Sequence, residues 1–430
     1  MHIKDKYSIF YVLVSIGILV TFIFNVIDCL YYPKSRGDES FYIKEVRRLT
    51  ETGLWNTFSS GTSHLYVVLG FIFTKLSGSD LVGLRLLSIS LSFILMYLFY
   101  KISLLELSNI YLRTLFMLTV SYVIYCSQAG KCFFMGISDP LMITIALATI
   151  MFIMLYVNLG KTKYIILSAI FSGMLFWVRT FSLLIYVGIL CWIVLSPFIL
   201  RNYLSFKRYI RNICLFLAIN VITISLVQIP SLLTNSTFTF ENKSKIMGLD
   251  WEANNWLTGL QRRPTNSIFC YSKLPWDEVE DYITKFGYSS IPRNYVERFK
   301  RNPKMIVEAF SANLLFRVPF VLFVNIGFLI IPLIYILKMP EKWFSIISSK
   351  DWLILLVFII MPISLSLVTI DYIEQRWLLF PIFMGALLGV RMMLLVNNIK
   401  FKKAIYNLQL IFLLIVIYYR LLKYFVCHII

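Results

Sequence analysis

Long apolar runs alternate with short polar connections along most of the chain. The first run, Tyr11–Ile27, carries no charge, and the last, Ala404–Val426, is interrupted by only four amide or charged residues. Runs of about 20 apolar residues satisfy their backbone hydrogen bonds internally as helices and can span a bilayer. The pattern therefore predicts an all-α polytopic membrane protein.

About eleven transmembrane helices are predicted. They lie near residues 8–27, 82–100, 113–128, 139–157, 164–179, 181–200, 212–230, 314–337, 352–370, 377–396 and 404–425. If the N-terminus is cytoplasmic, the connections on that side are short and rich in Lys and Arg, as the positive-inside rule requires. The first helix is expected to be permanent, because no small-residue cleavage site follows it.

Two segments on the opposite, outer side are longer than simple connections. The first outer loop, residues 28–81, contains an amphipathic helix at Ser40–Gly53 and a short apolar helix at His64–Leu76. The second helix is too short to span and is predicted to be interfacial or re-entrant. The second segment is polar and is predicted to form a small cap over the bundle. The predicted division is 1–230 as N-terminal transmembrane catalytic module, 231–305 as extracytoplasmic loop region and 306–430 as C-terminal transmembrane helices.

The composition agrees with a membrane protein and limits the kinds of partner that are expected. The chain is 59% hydrophobic and 15% charged, whereas soluble domains are nearer half apolar and a quarter charged. Most of the net charge of +19 is attributed to topology, and no nucleic acid partner is expected, because the basic residues are scattered over short loops. The seven cysteines have no metal or redox spacing, so no metal site is predicted.

Acidic residues mark the outer side of two predicted helices. Asp38 and Glu39 follow the first apolar run by about ten residues, and Asp139 opens the fourth helix. Asp favours N-cap positions, so each aspartate has a structural alternative as a helix cap. Paired carboxylates beside a membrane core also suggest general base chemistry.

Several arginines lie at the ends of apolar runs. Arg376 is a candidate phosphate ligand or an interfacial anchor paired with Glu374. Arg85 is a candidate phosphate ligand or a side chain that extends to the interface. Arg317 and Arg179 are close to apolar cores, where charged residues usually face a cavity or a partner.

Sequence motifs in this order resemble the GT-C superfamily of membrane glycosyltransferases. The motifs are Asp38-Glu39, Gly83-Leu84-Arg85-Leu86-Leu87-Ser88, Ser138-Asp139-Pro140, Gly173–Arg179 and Glu374-Gln375-Arg376-Trp377-Leu378-Leu379-Phe380-Pro381. The resemblance is greatest to the branch of protein O-mannosyltransferases and bacterial lipid A aminoarabinose transferases, which is like glycosyltransferase family 39. The chain departs from that branch at Ser63-His64-Leu65, where the family often has Pro-Pro-Leu, and at Trp377 in place of Tyr.

The resemblance implies an inverting transfer of a hexose or pentose from a polyprenyl-phosphate donor to an acceptor hydroxyl. Asp38 would be the general base, with Glu39 in support. The residues expected to position the acceptor or a cation are Asp139, Tyr42 and His64, although a lone His is more often structural. Those expected to bind the donor phosphate are Arg376, Arg85 and Arg317. A divalent cation is possible, and the acceptor would be a glycan, a lipid or a protein.

The resemblance also implies a location. The active site would face the periplasm or the cell exterior of a bacterial inner membrane, in the synthesis or modification of cell-surface glycans or glycolipids. Alternatives are an O-antigen-type glycan polymerase or ligase, a lipid-linked glycan transporter and a non-catalytic scaffold. A transporter predicts polar residues at the membrane midplane. A scaffold predicts that Asp38 and Arg376 lie apart in the fold.

Overall fold

The computed structural model describes residues 3–179, 182–199, 206–239, 250–261, 274–337, 348–369, 373–396 and 398–429. Within these ranges the chain is helical and has no β-strand, which confirms an all-α polytopic membrane protein. The helices are α1 Ile3–Tyr31, α2 Glu39–Phe58, α3 His64–Ser77, α4 Asp80–Glu106, α5 Ile110–Tyr125, α6 Asp139–Leu159, α7 Thr162–Met174, α8 Leu183–Ile199, α9 Phe206–Asn235, α10 Trp251–Gln261, α11 Trp276–Phe286, α12 Tyr295–Arg301, α13 Pro303–Ala312, α14 Val318–Ile326, α15 Ile330–Leu337, α16 Ser349–Val368, α17 Leu379–Leu395 and α18 Ile399–Ile429.

Eight helical segments of the described chain are long and apolar enough to cross a membrane. They are Ile9–Tyr31, Asp80–Glu106, Asp139–Leu159, Ile210–Asn235, Pro303–Tyr335, Ser349–Val368, Gln375–Leu395 and Ile399–Val426. The remaining three predicted spans fall on shorter apolar helices, Ile110–Tyr125, Thr162–Trp177 and Leu183–Leu195. The count of eleven therefore stays a prediction, and the basic connections at 201–205 and 338–347 lie outside the described residues.

Successive long helices run in opposite directions and define two ends of the bundle. We call the end with Tyr31, Asp80 and Asp139 the site end, and the end with Glu106 and Ile110 the far end. Helices α6 and α17 form the centre of the bundle. Of the residues in the most apolar stretch of each, 78% and 83% are buried, against 17% for α1. A helix that is apolar all round belongs in the core.

Helix α2 has the predicted amphipathic character. Phe41, Val46 and Leu49 are buried, while Lys44 and Arg47 are exposed. The helical pattern continues beyond the predicted end to Phe58, with a break at Gly53, whose φ of 78° is left-handed. Glycine adopts this conformation without the steric cost that a side chain brings.

Helix α3 begins at the predicted His64 and ends at Ser77, where Gly78 adopts the left-handed conformation of a helix C-cap. It packs closely against α4 at Gly83. A Cβ atom at Gly83 would lie 2.6 Å from the backbone Cα of Thr74. The glycine therefore permits the approach that brings the first outer segment onto the bundle.

The described part of the second outer segment contains α10, α11 and α12, with a small apolar cluster of its own. Its members are Ala253, Trp256, Leu257, Leu274, Val279 and Ile291, together with Met305 and Ile306 of α13. We call the segment 250–304 the cap. Residues 240–249 and 262–273 of the predicted loop region lie outside the described residues. The predicted domain division stays a prediction.

A buried charge network joins three helices at the far end. The carboxylate of Glu106 in α4 accepts hydrogen bonds from Lys350 of α16 at 2.8 and 2.9 Å and from Arg391 of α17. Arg391 also donates to Asp351 of α16. This network fixes the far end of α17, the helix that Arg376 precedes at the site end.

Candidate active site

Charged side chains from four separate parts of the chain converge at the site end. Asp38 precedes α2, Asp139 begins α6, Arg179 follows α7, and Arg376 precedes α17. The guanidinium of Arg376 donates to Asp38 Oδ2 at 3.2 Å, to Asp139 Oδ2 at 3.3 Å and to Glu374 Oε2 at 2.5 Å. Arg179 donates to the other oxygen of Asp139 at 2.6 Å. The structure thus brings together three residues that the sequence predicts.

The side chain of Asp38 does not act as a helix cap. Asp38 occupies the N-cap position of α2, but its carboxylate makes no capping hydrogen bond. It contacts Arg376 instead, 338 residues further along the chain. Asp139 is likewise the first residue of α6 and is fully buried, with its two oxygens on two arginines. Both aspartates are therefore held by cations rather than by helix ends.

Arg376 has hydrogen-bonding capacity beyond its three carboxylate partners. The net formal charge of Asp38, Asp139, Glu374, Arg179 and Arg376 is −1, so a further anion would depend on hydrogen bonds from Arg376 rather than on net charge. A guanidinium has five N–H donors, and the carboxylate contacts described for Arg376 use three of them. Arg376 therefore retains donors for a further anion, and its side chain is 18% exposed.

Glu39 and Arg85 pair with each other in the interior. Arg85 donates to both oxygens of Glu39 at 2.8 Å, and the two side chains are 1% and 0% exposed. Glu39 also accepts from the backbone N–H of Arg36 and of Gly136. The remaining donors of Arg85 reach the carbonyls of Cys29, Tyr32 and Lys34.

This pair fixes the path of the chain between α1 and α2, immediately before Asp38. In the described structure Arg85 neither extends to an interface nor joins the cluster around Arg376. The catalytic role predicted for Glu39 and the phosphate role predicted for Arg85 stay predictions, and neither residue enters our proposal. Their side chains have little capacity left for a substrate, because both ends of the ion pair are saturated and buried.

The predicted acceptor residues lie in two places. Tyr42 is buried, and its hydroxyl lies 2.5 Å from that of Ser138, the residue before Asp139. His64 is buried against Phe58, with Nε2 at 3.2 Å from the Phe58 carbonyl. Burial lowers the pKa of His64 to about 4, so the imidazole is neutral at pH 7.

Arg317 supports the segment that leads to Arg376. It lies in a π-helical turn, Asn313–Arg317, and its Nε donates to the carbonyl of Ile373 at 2.8 Å. Its side chain is 8% exposed. Arg317 thus contacts the backbone of the segment before Arg376, and the phosphate role predicted for it stays a prediction.

No protein-family model and no curated protein matches the sequence. Two solved structures of the Archaeoglobus fulgidus oligosaccharyltransferase are similar to the chain. The complex with zinc and sulfate has a TM-score of 0.55 at 13% identity, over 95% of this chain and 53% of that one. The apo form has a TM-score of 0.54 at 12% identity, over 96% and 56%. At this identity the similarity shows a shared fold. This chain spans about half the length of those structures.

Sequence reasoning did not include Arg179 and Ser138 among the site residues. In the sequence, Arg179 is recognisable only as a charge beside an apolar run, within the Gly173–Arg179 motif, and Ser138 only as part of Ser138-Asp139-Pro140. The available signal was the high cost of a charge beside lipid, which implies a partner without naming it. Only the packing of α7 against α6 identifies Asp139 as that partner.

The cluster offers no ready metal site. Among the described residues there is no group of three or more His, Cys, Asp or Glu side chains that could hold a metal. The guanidinium of Arg376 contacts both Asp38 and Asp139, the two carboxylates that a cation would need. We therefore derive no step through a metal, and the predicted possibility of a divalent cation stays untested.

Proposed function

We propose that the protein is an inverting glycosyltransferase that moves a sugar from a polyprenyl-phosphate donor to an acceptor hydroxyl. The observation that carries the proposal is the contact between Asp38 and Arg376 beside buried Asp139. A base and an anion-binding guanidinium at one point are the two groups that this reaction needs. The GT-C-like fold supports the same class of activity.

Asp38 acts as the general base in this mechanism. Its carboxylate takes the proton of the acceptor hydroxyl while that oxygen forms a bond to the anomeric carbon of the sugar. The bond between the anomeric carbon and the phosphate oxygen breaks on the opposite face, so the configuration inverts. A positioned base contributes about 10²–10⁴-fold to such a step. Little acid assistance is needed, because the lipid phosphate leaves as a stable anion.

Arg376 stabilises the departing phosphate. Its spare N–H donors match phosphate oxygens, and charge-assisted hydrogen bonds of this kind are the strong ones. The ion pair of Arg179 with Asp139 fixes the second carboxylate. The other oxygen of that carboxylate accepts a hydrogen bond from Arg376 and so helps to position it. Positive charge that is already positioned where negative charge develops costs no reorganisation during the reaction.

The distribution of basic residues supports an extracytoplasmic active site. The short connections at the far end are basic and include Lys101, Arg113, Lys161 and Lys163. By the positive-inside rule that end faces the cytoplasm. The site end would then face the periplasm or exterior of a bacterial inner membrane, where lipid-linked sugars rather than nucleotide sugars are the available donors.

The competing functions find less support. A scaffold predicts that Asp38 and Arg376 lie apart, whereas they are in contact. A transporter predicts polar residues at the midplane, yet the amides of Asn220 and Asn325 donate to carbonyls of their own helices. No observation in the described residues specifically favours a glycan polymerase.

The test is sugar transfer in membranes. We expect radiolabelled sugar to move from a polyprenyl-phosphate donor to the endogenous acceptor with the wild type, and about 10²-fold or more slowly with Asp38→Asn. Asp277→Asn, an exposed carboxylate on α11, is the matched control and retains activity. Full activity of the Asp38→Asn protein would overturn the mechanism. Absence of transfer from every donor tried, with folded protein, would overturn the function.

A further inference from the structure

A groove separates the cap from the site end of α16. Its volume is about 360 Å³, and it is lined by Glu252, Arg293, Asn294, Tyr295, Arg298, Leu367 and Val368. Neither Asp38 nor Asp139 nor Arg376 is among its lining residues. The groove is therefore a concave surface at the site end that is distinct from the candidate active site.

Arg298 has unused hydrogen-bonding capacity inside this groove. Its side chain is 11% exposed, and its Nη2 lies 3.5 Å from the carboxylate of Glu252. The Nε atom is buried and has no hydrogen-bond partner in the part of the chain that the structure describes. A buried donor of a charged group is costly to leave unpaired. Arg298 is thus a lining residue whose guanidinium has donor capacity beyond its contact with Glu252.

The chemistry of the walls indicates what kind of ligand fits the groove. Two guanidinium groups, Arg293 and Arg298, face one carboxylate, so the groove has a net positive charge. Its floor is apolar, because Leu367 and Val368 end a membrane-spanning helix and are 42% and 59% exposed. Guanidinium groups match phosphate oxygens, and exposed aliphatic side chains at a helix end contact lipid chains. A phosphate carried on a lipid fits both surfaces.

The donor phosphate is required elsewhere. In the proposed displacement the general base must be within about 3 Å of the hydroxyl that attacks the anomeric carbon. The phosphate on that carbon therefore lies beside Asp38 and Arg376. An anion in the groove belongs to a different molecule, and Glu252 in the same wall can accept a hydrogen bond from a sugar hydroxyl. We propose that the groove binds the phosphate of a lipid-anchored glycan acceptor, an inference that rests on the proposed transferase function.

One π-helical turn holds a residue beside the groove and a residue beside Arg376. The carbonyls of Thr369, at the end of α16, and of Ile373, three residues before Arg376, both accept hydrogen bonds from this turn. Asn313 Nδ2 lies 3.1 Å from the Thr369 carbonyl, and Arg317 Nε lies 2.8 Å from the Ile373 carbonyl. Single π turns inside helices are frequent at functional sites. The same turn therefore contacts the end of α16 that lines the groove and the residue that leads into the Arg376 segment.

Binding can be measured without any transfer reaction. The full-length protein in phosphatidylcholine nanodiscs is exposed to a diazirine-labelled phosphatidic acid, and the crosslinked peptides are identified by mass spectrometry. We expect labelling at the cap and at the end of α16, reduced about tenfold in Arg298→Gln, since a charged hydrogen bond is lost. Arg293→Gln is the second variant, because its exposed side chain is not needed for packing. Lys300→Gln removes an exposed charge from the same helix and should label like the wild type.

The neutral probe and the donor dependence complete the test. A diazirine-labelled diacylglycerol should label the groove weakly in every variant. Equal labelling by the two probes, or unchanged labelling in both arginine variants, would overturn the phosphate site.

In the transfer assay, Arg298→Gln should leave the KM for the donor within about twofold and raise the requirement for acceptor lipid extract about tenfold. A raised donor KM would show a donor site instead. Labelling without any transfer would remove the transferase proposal and leave the phosphate site standing.

Discussion

At the scale of single residues, two neighbouring carboxylates have different environments. Asp38 faces Arg376 at the candidate site, and Glu39 faces Arg85 in the interior. Adjacent positions at the start of a helix project about 100° apart, so they reach different partners. The acidic pair that the sequence singles out thus combines one candidate catalytic group with one group that positions it.

The buried Glu39–Arg85 ion pair should contribute to the thermal stability of the fold. Arg85→Gln leaves the carboxylate of Glu39 buried without its cation, which costs about 3–5 kcal/mol. We expect a lower thermal unfolding midpoint in detergent. Arg47→Gln is the control, because Arg47 is 64% exposed beside Asp80 and such pairs contribute about 1 kcal/mol or less. Wild-type stability of Arg85→Gln combined with loss of donor binding would instead favour the predicted phosphate role.

His64 should make the fold sensitive to acid. Because its pKa falls from 6.5 to about 4 on folding, the unfolded chain binds the proton more readily between these values. Stability from this group is complete above about pH 6.5 and is lost as the pH falls towards 4. The unfolding midpoint of His64→Gln, measured from pH 8 to 4, should therefore fall less steeply than that of the wild type. Parallel curves would refute the buried neutral imidazole.

At the scale of elements, the first outer segment is held on the bundle by close helix packing. Helix α3 is too short to span, and it stays at the site end because Gly83 lets α4 approach its backbone. The helix predicted at Ser40–Gly53 has the predicted faces and is interrupted at its predicted end, Gly53, after which a further helical stretch continues to Phe58. The helical stretch after Gly53 is stabilised by contacts with α9. Trp55 donates to Thr234 at the end of α9.

Substitution at the α3–α4 contact should disturb both packing and activity. Gly83→Ala places a Cβ atom 2.6 Å from the backbone of Thr74, so the helices must separate. Overpacking of this kind costs about 1–3 kcal/mol. We expect a lower unfolding midpoint and slower transfer. Ser90→Ala, a half-buried position on the same helix, is the control. An unchanged midpoint for Gly83→Ala would contradict the close approach.

At the scale of the whole molecule, the candidate site and the short basic connections lie at opposite ends of the bundle. The site end carries the Asp38–Asp139–Arg376 cluster and the cap, and the far end carries the basic connections and the Glu106 network. The helices that span between them carry a nearly uncharged surface. By the positive-inside rule, the short basic connections predict that the far end faces the cytoplasm.

That orientation can be tested by cysteine labelling. Lys44→Cys on the exposed face of α2 should react with an impermeant maleimide in intact cells. Lys161→Cys, between α6 and α7, should react only after permeabilisation. The unaltered chain corrects for reaction of the native cysteines. The reverse pattern would place the candidate site in the cytoplasm and exclude a donor that is used on the extracytoplasmic face.

The sequence by itself determined the class and the candidate residues. Apolar runs must form helices in lipid, so the pattern predicts every long apolar helix of the described chain. Charges beside such runs are costly, so Asp38, Asp139 and Arg376 stand out without coordinates. Only the tertiary structure decided which charge meets which. Arg85 and Arg376 both lie at the start of an apolar run, yet Arg85 pairs with Glu39 and Arg376 pairs with Asp38. Partners 46 and 338 residues away are set by how helices pack, which no local pattern encodes.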